Sequence, residues 1–193
     1  MVLVIMGPMC SGKTSLVNKL VSSWTPSWQI KQILEHTSRP KRSDKESGYV
    51  FLTPAQFAAN REDGKYIGVV RYQTVYGPWN YGIPLDDLKS MTTKSIRVIV
   101  TSPMAYTALR EWCHNWSVPC RGMLLDVSEE LCVERALRRG DDAKEVHRRM
   151  TEMHPIFNAI KNSGTLARIT NGTENLDILV RIASDVIREK SRA

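Results

Sequence analysis

Residues 7–14 read Gly-Pro-Met-Cys-Ser-Gly-Lys-Thr, and glycines, a lysine and a hydroxyl at this spacing suit the binding of phosphate. Gly7, Gly12, Lys13 and Thr14 meet the pattern G-x-x-x-x-G-K-[ST] in full. Consecutive backbone amides and a helix N-terminus present partial positive charge to phosphate oxygens. A lysine at this position reaches the β- and γ-oxygens, and the hydroxyl after it can ligate Mg²⁺. The stretch Gly7, Pro8, Met9, Cys10, Ser11, Gly12, Lys13, Thr14 and Ser15 is therefore expected to hold an ATP-like donor. Lys13 is its catalytic cation and Thr14 its Mg²⁺ ligand.

Such a loop works only between a buried strand and a helix, and the flanking residues supply both. Val2–Met6 is an uninterrupted apolar run, and Ser15–Ser23 turns Leu16, Val17 and Leu20 to one side. The 193 residues, 42% hydrophobic and 24% charged, suit one folded domain with its own core. No apolar run approaches the roughly 18 residues of a membrane span. The apolar start lacks a basic leader and stops at Gly7-Pro8, so it reads as a core strand of a cytoplasmic protein. Cys10, Cys113, Cys120 and Cys132 lack the close spacing of zinc ligands and read as reduced thiols. The net charge of +7, from 27 Lys and Arg against 20 Asp and Glu, favours an anionic partner without separating nucleotide from nucleic acid.

Further along, strands and helices alternate. Gln29–His36 reads as a strand, Tyr49–Leu52 as strand-like, and Thr53-Pro54 as the start of a helix. Lys65–Gln73 and Thr74–Tyr76 read as strands broken at Gly77-Pro78, with a turn at Tyr81–Pro84. Ile96–Val100, Arg121–Asp126 and Ala167–Thr170 are strands among helices at Leu85–Met91, Ala105–Asn115, Ser128–Arg139, Asp142–Asn162 and Leu176–Lys190. Pro155 is expected to break or bend the fourth of these helices. The pattern predicts an α/β fold of three layers, of the P-loop NTPase type, on a mostly parallel five-stranded core sheet. The core takes about 1–36, 85–135 and 163–193, a strand-rich acceptor-binding insertion about 37–84, and a helical lid about 136–162.

Past the glycine loop the chain resembles the guanylate kinase family of nucleoside monophosphate kinases. Thr37-Ser38-Arg39-Pro40-Lys41-Arg42 is similar to its Thr-Thr-Arg-x-x-Arg segment, followed by Gly48, Tyr49 and Phe51. Tyr81-Gly82-Ile83-Pro84 resembles its Tyr-Gly-(Thr/Ser)-Pro turn, and Glu134–Gly140 with Glu145 and Arg148-Arg149-Met150 its lid. Ile169-Thr170-Asn171 resembles the strand end beside the donor base, which would put Asn171 there. The resemblance implies that Arg39, Arg42, Tyr49 and Tyr81 bind an acceptor phosphate. Guanidinium forks and phenol donors suit a dianion. It also implies that Arg135, Arg139 and Arg149 neutralise the transferring phosphoryl group, with Arg138 and Arg148 facing outward. Transfer between phosphates needs no strong general base, and no His-Asp or Ser-His-Asp constellation stands out.

The base-reading positions depart from that family. Its first acidic residue falls on Gly68, its second on Thr101 or Ser102, the hydroxyl by the Tyr-Gly turn on Ile83, and the glutamate after the arginines on Lys45. Guanine donates from N1 and N2 and wants carboxylates there, so guanine is the base these residues argue against. Arg71, Gln73, Asn80 and Thr101 are the candidates to meet another, or a modified, base. The expected activity is ATP- and Mg²⁺-dependent phosphorylation of a (deoxy)nucleoside monophosphate by a monomer or homodimer, a reaction that would suit a virus reshaping its nucleotide pool. A ribose 1,5-bisphosphokinase-like sugar phosphate kinase and a kinase of hydroxymethylated bases in DNA remain open alternatives. A protein-binding module is disfavoured by the complete loop.

Overall fold

The computed structural model describes residues 1–24, 28–44 and 46–189, leaving aside the side chain of Asn171. Lys45 and Lys190, to which the sequence reading assigned a base-pocket position and a helix end, lie outside the described residues. Strands β1 (Val2–Met6), β2 (Gln29–Ile33), β7 (Ser95–Val100), β8 (Cys120–Asp126) and β9 (Arg168–Asn171) form a parallel sheet in the order β2-β7-β1-β8-β9. Strand β1 is central, and successive side chains point to opposite faces. Val2, Val4 and Met6 pack with Ala105, Tyr106, Leu109, Phe157 and Ile160 on one side. Leu3 and Ile5 pack with Leu16, Val17, Leu20, Leu179, Ala183 and Val186 on the other. Helices α4 (Pro103–Asn115) and α6 (Ala143–Asn162) thus cover one face, and α1 (Lys13–Ser23) and α7 (Leu176–Arg188) the other. Strands buried on both faces explain the unbroken apolar runs.

A second sheet, ordered β4-β3-β6-β5, combines β3 (His36–Thr37), β4 (Val50–Phe51), β5 (Tyr66–Thr74) and β6 (Gly77–Pro84). It carries α2 (Pro54–Glu62) and leads into α3 (Leu85–Lys89). Thr53 and Gln56 close a capping box at the start of α2, with Pro54 in its first turn. The expected strand Gln29–His36 is in fact two, since His36 leaves the core sheet and pairs with Val50 and Gly82.

The reading of Gly77–Pro84 as a break and a turn is overturned: it is one strand paired antiparallel with β5, Tyr72 opposite Trp79 and Val70 opposite Tyr81. The chain reverses instead at Val75-Tyr76. There the Thr74 hydroxyl donates to Gly77 O at 2.7 Å and accepts from the Tyr76 amide at 3.1 Å. Pro78 is tolerated because β3 pairs only with Tyr81 and Gly82, so its missing N–H costs no ladder bond on that side. The stretch expected as a lid, about 136–162, holds the end of α5 (Glu129–Arg138) and α6. Pro155 lies inside α6, which runs as one helix of 20 residues where a break or bend was expected. Among the described residues no helix is long and apolar enough to cross a membrane.

Candidate active site

The glycine loop joins the C-terminal end of β1 to α1, and its geometry demands its glycines. Gly7 has φ 154°, and a Cβ there would lie 2.7 Å from both Leu125 O and Ser11 Oγ. Gly12, at φ 92°, stands just before α1 in the left-handed region. Lys13 Nζ curls back over the loop, donating to Gly7 O at 2.9 Å and Pro8 O at 2.5 Å. Burial pulls its pKa down to about 8, and the nearby charge of Arg139 adds to the effect. An ammonium held this way, with only neutral oxygens as partners, is stabilised by an arriving polyphosphate. Thr14 and Ser15 are exposed on the first turn of α1.

The loop forms one end of a cleft of about 520 Å³. The other end is the second sheet, which contributes Arg39, Arg42, Tyr49, Tyr72, Trp79 and Tyr81, while α6 supplies Arg148 and Arg149. Arg39 is only 2% exposed. Its guanidinium lies 5.4 Å from the ring centre of Tyr49, 5.2 Å from Phe51 and 5.9 Å from Trp79. Glu46 grips Arg39 with both oxygens, at 2.7 and 3.2 Å, and accepts from Arg42 Nη1 at 3.1 Å. Burial works against the Arg39 charge, but the Glu46 bonds outweigh it and the pKa rises. A carboxylate thus already sits where two guanidiniums converge, the arrangement a dianionic phosphate would exploit.

Arg42 shows how tightly the cations gather. Its pKa is pulled down by burial first, and then by the charges of Arg39, Arg139 and Arg149. These four come from the loop after β3, the end of α5 and the middle of α6. Arg135 donates to Cys10 O at 3.2 Å, so the lid touches the glycine loop directly. Arg139 is paired with Asp141. Arg149 lies 5.7 Å from the Trp79 ring centre and donates to Glu145 at 2.7 Å.

Glu145 ties lid to acceptor sheet. It is 4% exposed and accepts from Arg148, Arg149 and the Val75 amide at the β5–β6 turn. Burial alone would raise its pKa, yet these bonds bring it down to about 2.

Several expected residues stand elsewhere. Arg148, expected to face outward, is 18% exposed and lines the cleft, whereas Arg138 is 74% exposed and pairs with Glu134. The difference follows from Glu145, which draws Arg148 inward along with Arg149. Arg71 is exposed and borders a separate hollow with Phe57, Arg61 and Asn80, away from the cleft. Asn80 is engaged with Ser38. Asn171 ends β9 beside Asp126 of β8, its side chain outside the description. Cys113 and Cys120, like Cys10 and Cys132, are free thiols.

Gly68, onto which the resemblance puts the family's first acid, is held as a glycine by its backbone and by α4. Its φ is 61°, and a Cβ there would come within 3.0–3.2 Å of Ala105 on α4. A side chain has no room. Thr101 does line the cleft, and its hydroxyl donates to Glu35, a buried acid outside the expected substrate-binding set. The signal for it was a carboxylate in an otherwise apolar strand end, Ile33-Leu34-Glu35. Among the described residues no three His, Cys, Asp or Glu side chains gather as a metal cluster.

No protein-family model and no curated protein sequence matches the chain. Among solved structures, the crystal structure of guanylate kinase from Anaplasma phagocytophilum is similar, with a TM-score of 0.64 at 17% identity. That match covers 98% of this chain and 85% of the other. The chain has a guanylate kinase-like fold.

Proposed function

We propose that the protein transfers the γ-phosphoryl group of ATP to a nucleoside or deoxynucleoside monophosphate whose base is not guanine. The observation that carries this reading is the placing of Lys13, Arg39, Arg42 and Arg149 along one cleft, with the charge of Arg139 close by. One phosphate loop suits a donor, and a second, separate set of guanidiniums and phenols suits a phosphate on the acceptor. A non-guanine base fits the closed position at Gly68 and the hydroxyl at Thr101.

Transfer follows from positioning. An oxygen of the acceptor phosphate, held by Arg39, Arg42, Tyr49 and Tyr81, attacks the γ-phosphorus in line as the bond to the bridging oxygen of ADP breaks. The nucleophile is already an anion, so no base need remove a proton. Lys13, Arg135, Arg139 and Arg149 offset the charge spread over the transferring group. Mg²⁺, which Thr14 would help hold, supplies charge neutralisation on the donor phosphates. A lone hydroxyl suits this ion, which keeps several waters and takes its other ligands from phosphates.

A kinase of hydroxymethylated bases would need a free general base near its hydroxyl. Glu46, the acid beside Arg39 and Arg42, is engaged by both and is not free for that part. Incubation with ATP, Mg²⁺ and each monophosphate, resolved by chromatography, is expected to yield a nucleoside diphosphate. Phosphate appearing only on ribose bisphosphate or on a hydroxymethylated oligonucleotide would overturn the reading.

A further inference from the structure

The phosphate chemistry has no use for one acid that borders the cleft. Glu35 follows β2, is 6% exposed and lines the cleft with Val70, Tyr72 and Val100. The Thr101 hydroxyl donates to its Oε1. Its Oε2 has no hydrogen-bond partner among the described residues, and no ion pair engages the carboxyl there. A buried carboxylate without a cation is costly, so the balance moves toward the protonated form. Burial pushes its pKa up to about 7, with the Thr101 bond pulling the other way.

Phenols and a set of paired cations share the cleft with Glu35. The phenols of Tyr49 and Tyr72 lie within its field and are themselves pushed upward, chiefly by burial. Tyr81, Arg39, Arg42 and Arg149 line the same cleft but are engaged at the phosphate end. With Thr101 donating to Oε1, the proton of a neutral carboxyl belongs on Oε2. The atom left to meet a ligand is then a hydrogen-bond donor.

We propose that Glu35, oriented by Thr101, reads the acceptor's base as an uncharged acid, donating a hydrogen bond to a carbonyl oxygen or unprotonated ring nitrogen. The alternative use of a carboxyl group, as an anion accepting from the adjacent N1–H and N2–H₂ of guanine, would carry the burial cost of ionising it. This rests on the monophosphate kinase reading and names the residue that sets its base preference. A donor facing an acceptor atom discriminates strongly, because a base that presents an N–H there leaves both groups unpaired.

Glu35→Gln and Glu35→Ala separate the possibilities. Glutamine keeps a carbonyl for Thr101 and offers N–H₂ where the acid offers O–H, so it mimics the neutral form. The monophosphates of the four standard deoxynucleosides serve as probes, with kcat/KM measured from about pH 6 to pH 9. The wild-type protein should lose roughly tenfold per unit above its titration, since activity follows the protonated fraction. Glu35→Gln should stay within about threefold of the wild-type low-pH value and lose that fall, while Glu35→Ala drops at least about tenfold. Equal losses in Glu35→Gln and Glu35→Ala, a fall with pH that persists in Glu35→Gln, or a preference for the guanine nucleotide would overturn the proposal. If monophosphates are used but respond to neither variant, only the role of Glu35 falls. If none is used, the kinase reading falls with it.

Discussion

The end of the cleft that we assign to the donor comes from one stretch of chain, Gly7–Lys13, whereas the end that we assign to the acceptor gathers Glu35, Arg39, Tyr49, Tyr72, Tyr81 and Thr101 from separate segments. The donor end uses backbone, whose direction the glycines and the helix start dictate. The acceptor end uses side chains, positioned by a hairpin, a short parallel strand and the end of β7. A site made of backbone tolerates few changes and looks alike wherever it occurs. A site made of side chains on a small sheet can be re-tuned one residue at a time.

The sharpest way to break the comparison lies at the donor end. Lys13→Met is expected to lower kcat for transfer about 100- to 1,000-fold, the effect of removing one preorganised charge donor. Far-UV circular dichroism should be unaffected, because the ammonium holds only its own loop. A comparable loss of helix signal would mean the residue is structural.

At the acceptor end the largest stability effect belongs to Glu35. Its folded pKa of about 7 stands above the ordinary 4.5. Below about pH 4.5 the carboxyl is neutral in both states, and Glu35→Gln changes little. Between these values the unfolded chain ionises first, so the native state loses stability as pH rises. Above pH 7 the loss is complete, about 3 kcal/mol. Urea melts should therefore find Glu35→Gln more stable than wild type by up to that amount near pH 8, with the gain gone near pH 4. A gain independent of pH would contradict a titrating Glu35.

The smallest effect sharpens the comparison by separating scaffold from site. Thr53→Ala removes the capping box of α2 and should cost about 1 kcal/mol in thermal or urea unfolding. Transfer kinetics should not change, since Thr53 borders the acceptor sheet without lining the cleft.

The same contrast governs what the sequence discloses. The glycine loop, the alternation of strands and helices, and the core sheet were legible because each rests on neighbours in the chain. Strand β6 was not, because Gly77, Pro78 and Gly82 carry local turn signals that tertiary pairing with β5 overrides. Arg148 and Arg138 sit in similar lid sequence, and only Glu145, bonded to the distant Val75 amide, sends one inward. The pairing of Glu35 with Thr101 was out of reach for the same reason. The two stand 66 positions apart, and the pairing depends on the burial of both. Gly68 reads as a missing acid until Ala105 is seen against it.

The claim that two ends of one cleft do separate jobs is tested most directly at Arg39. Transfer to the preferred monophosphate and ATP hydrolysis without acceptor should be measured side by side in wild type and Arg39→Ala. Loss of a charge-assisted bond of about 2–3 kcal/mol predicts an acceptor kcat/KM lower by roughly 30- to 160-fold, with hydrolysis unchanged. Equal losses in both reactions would contradict the account.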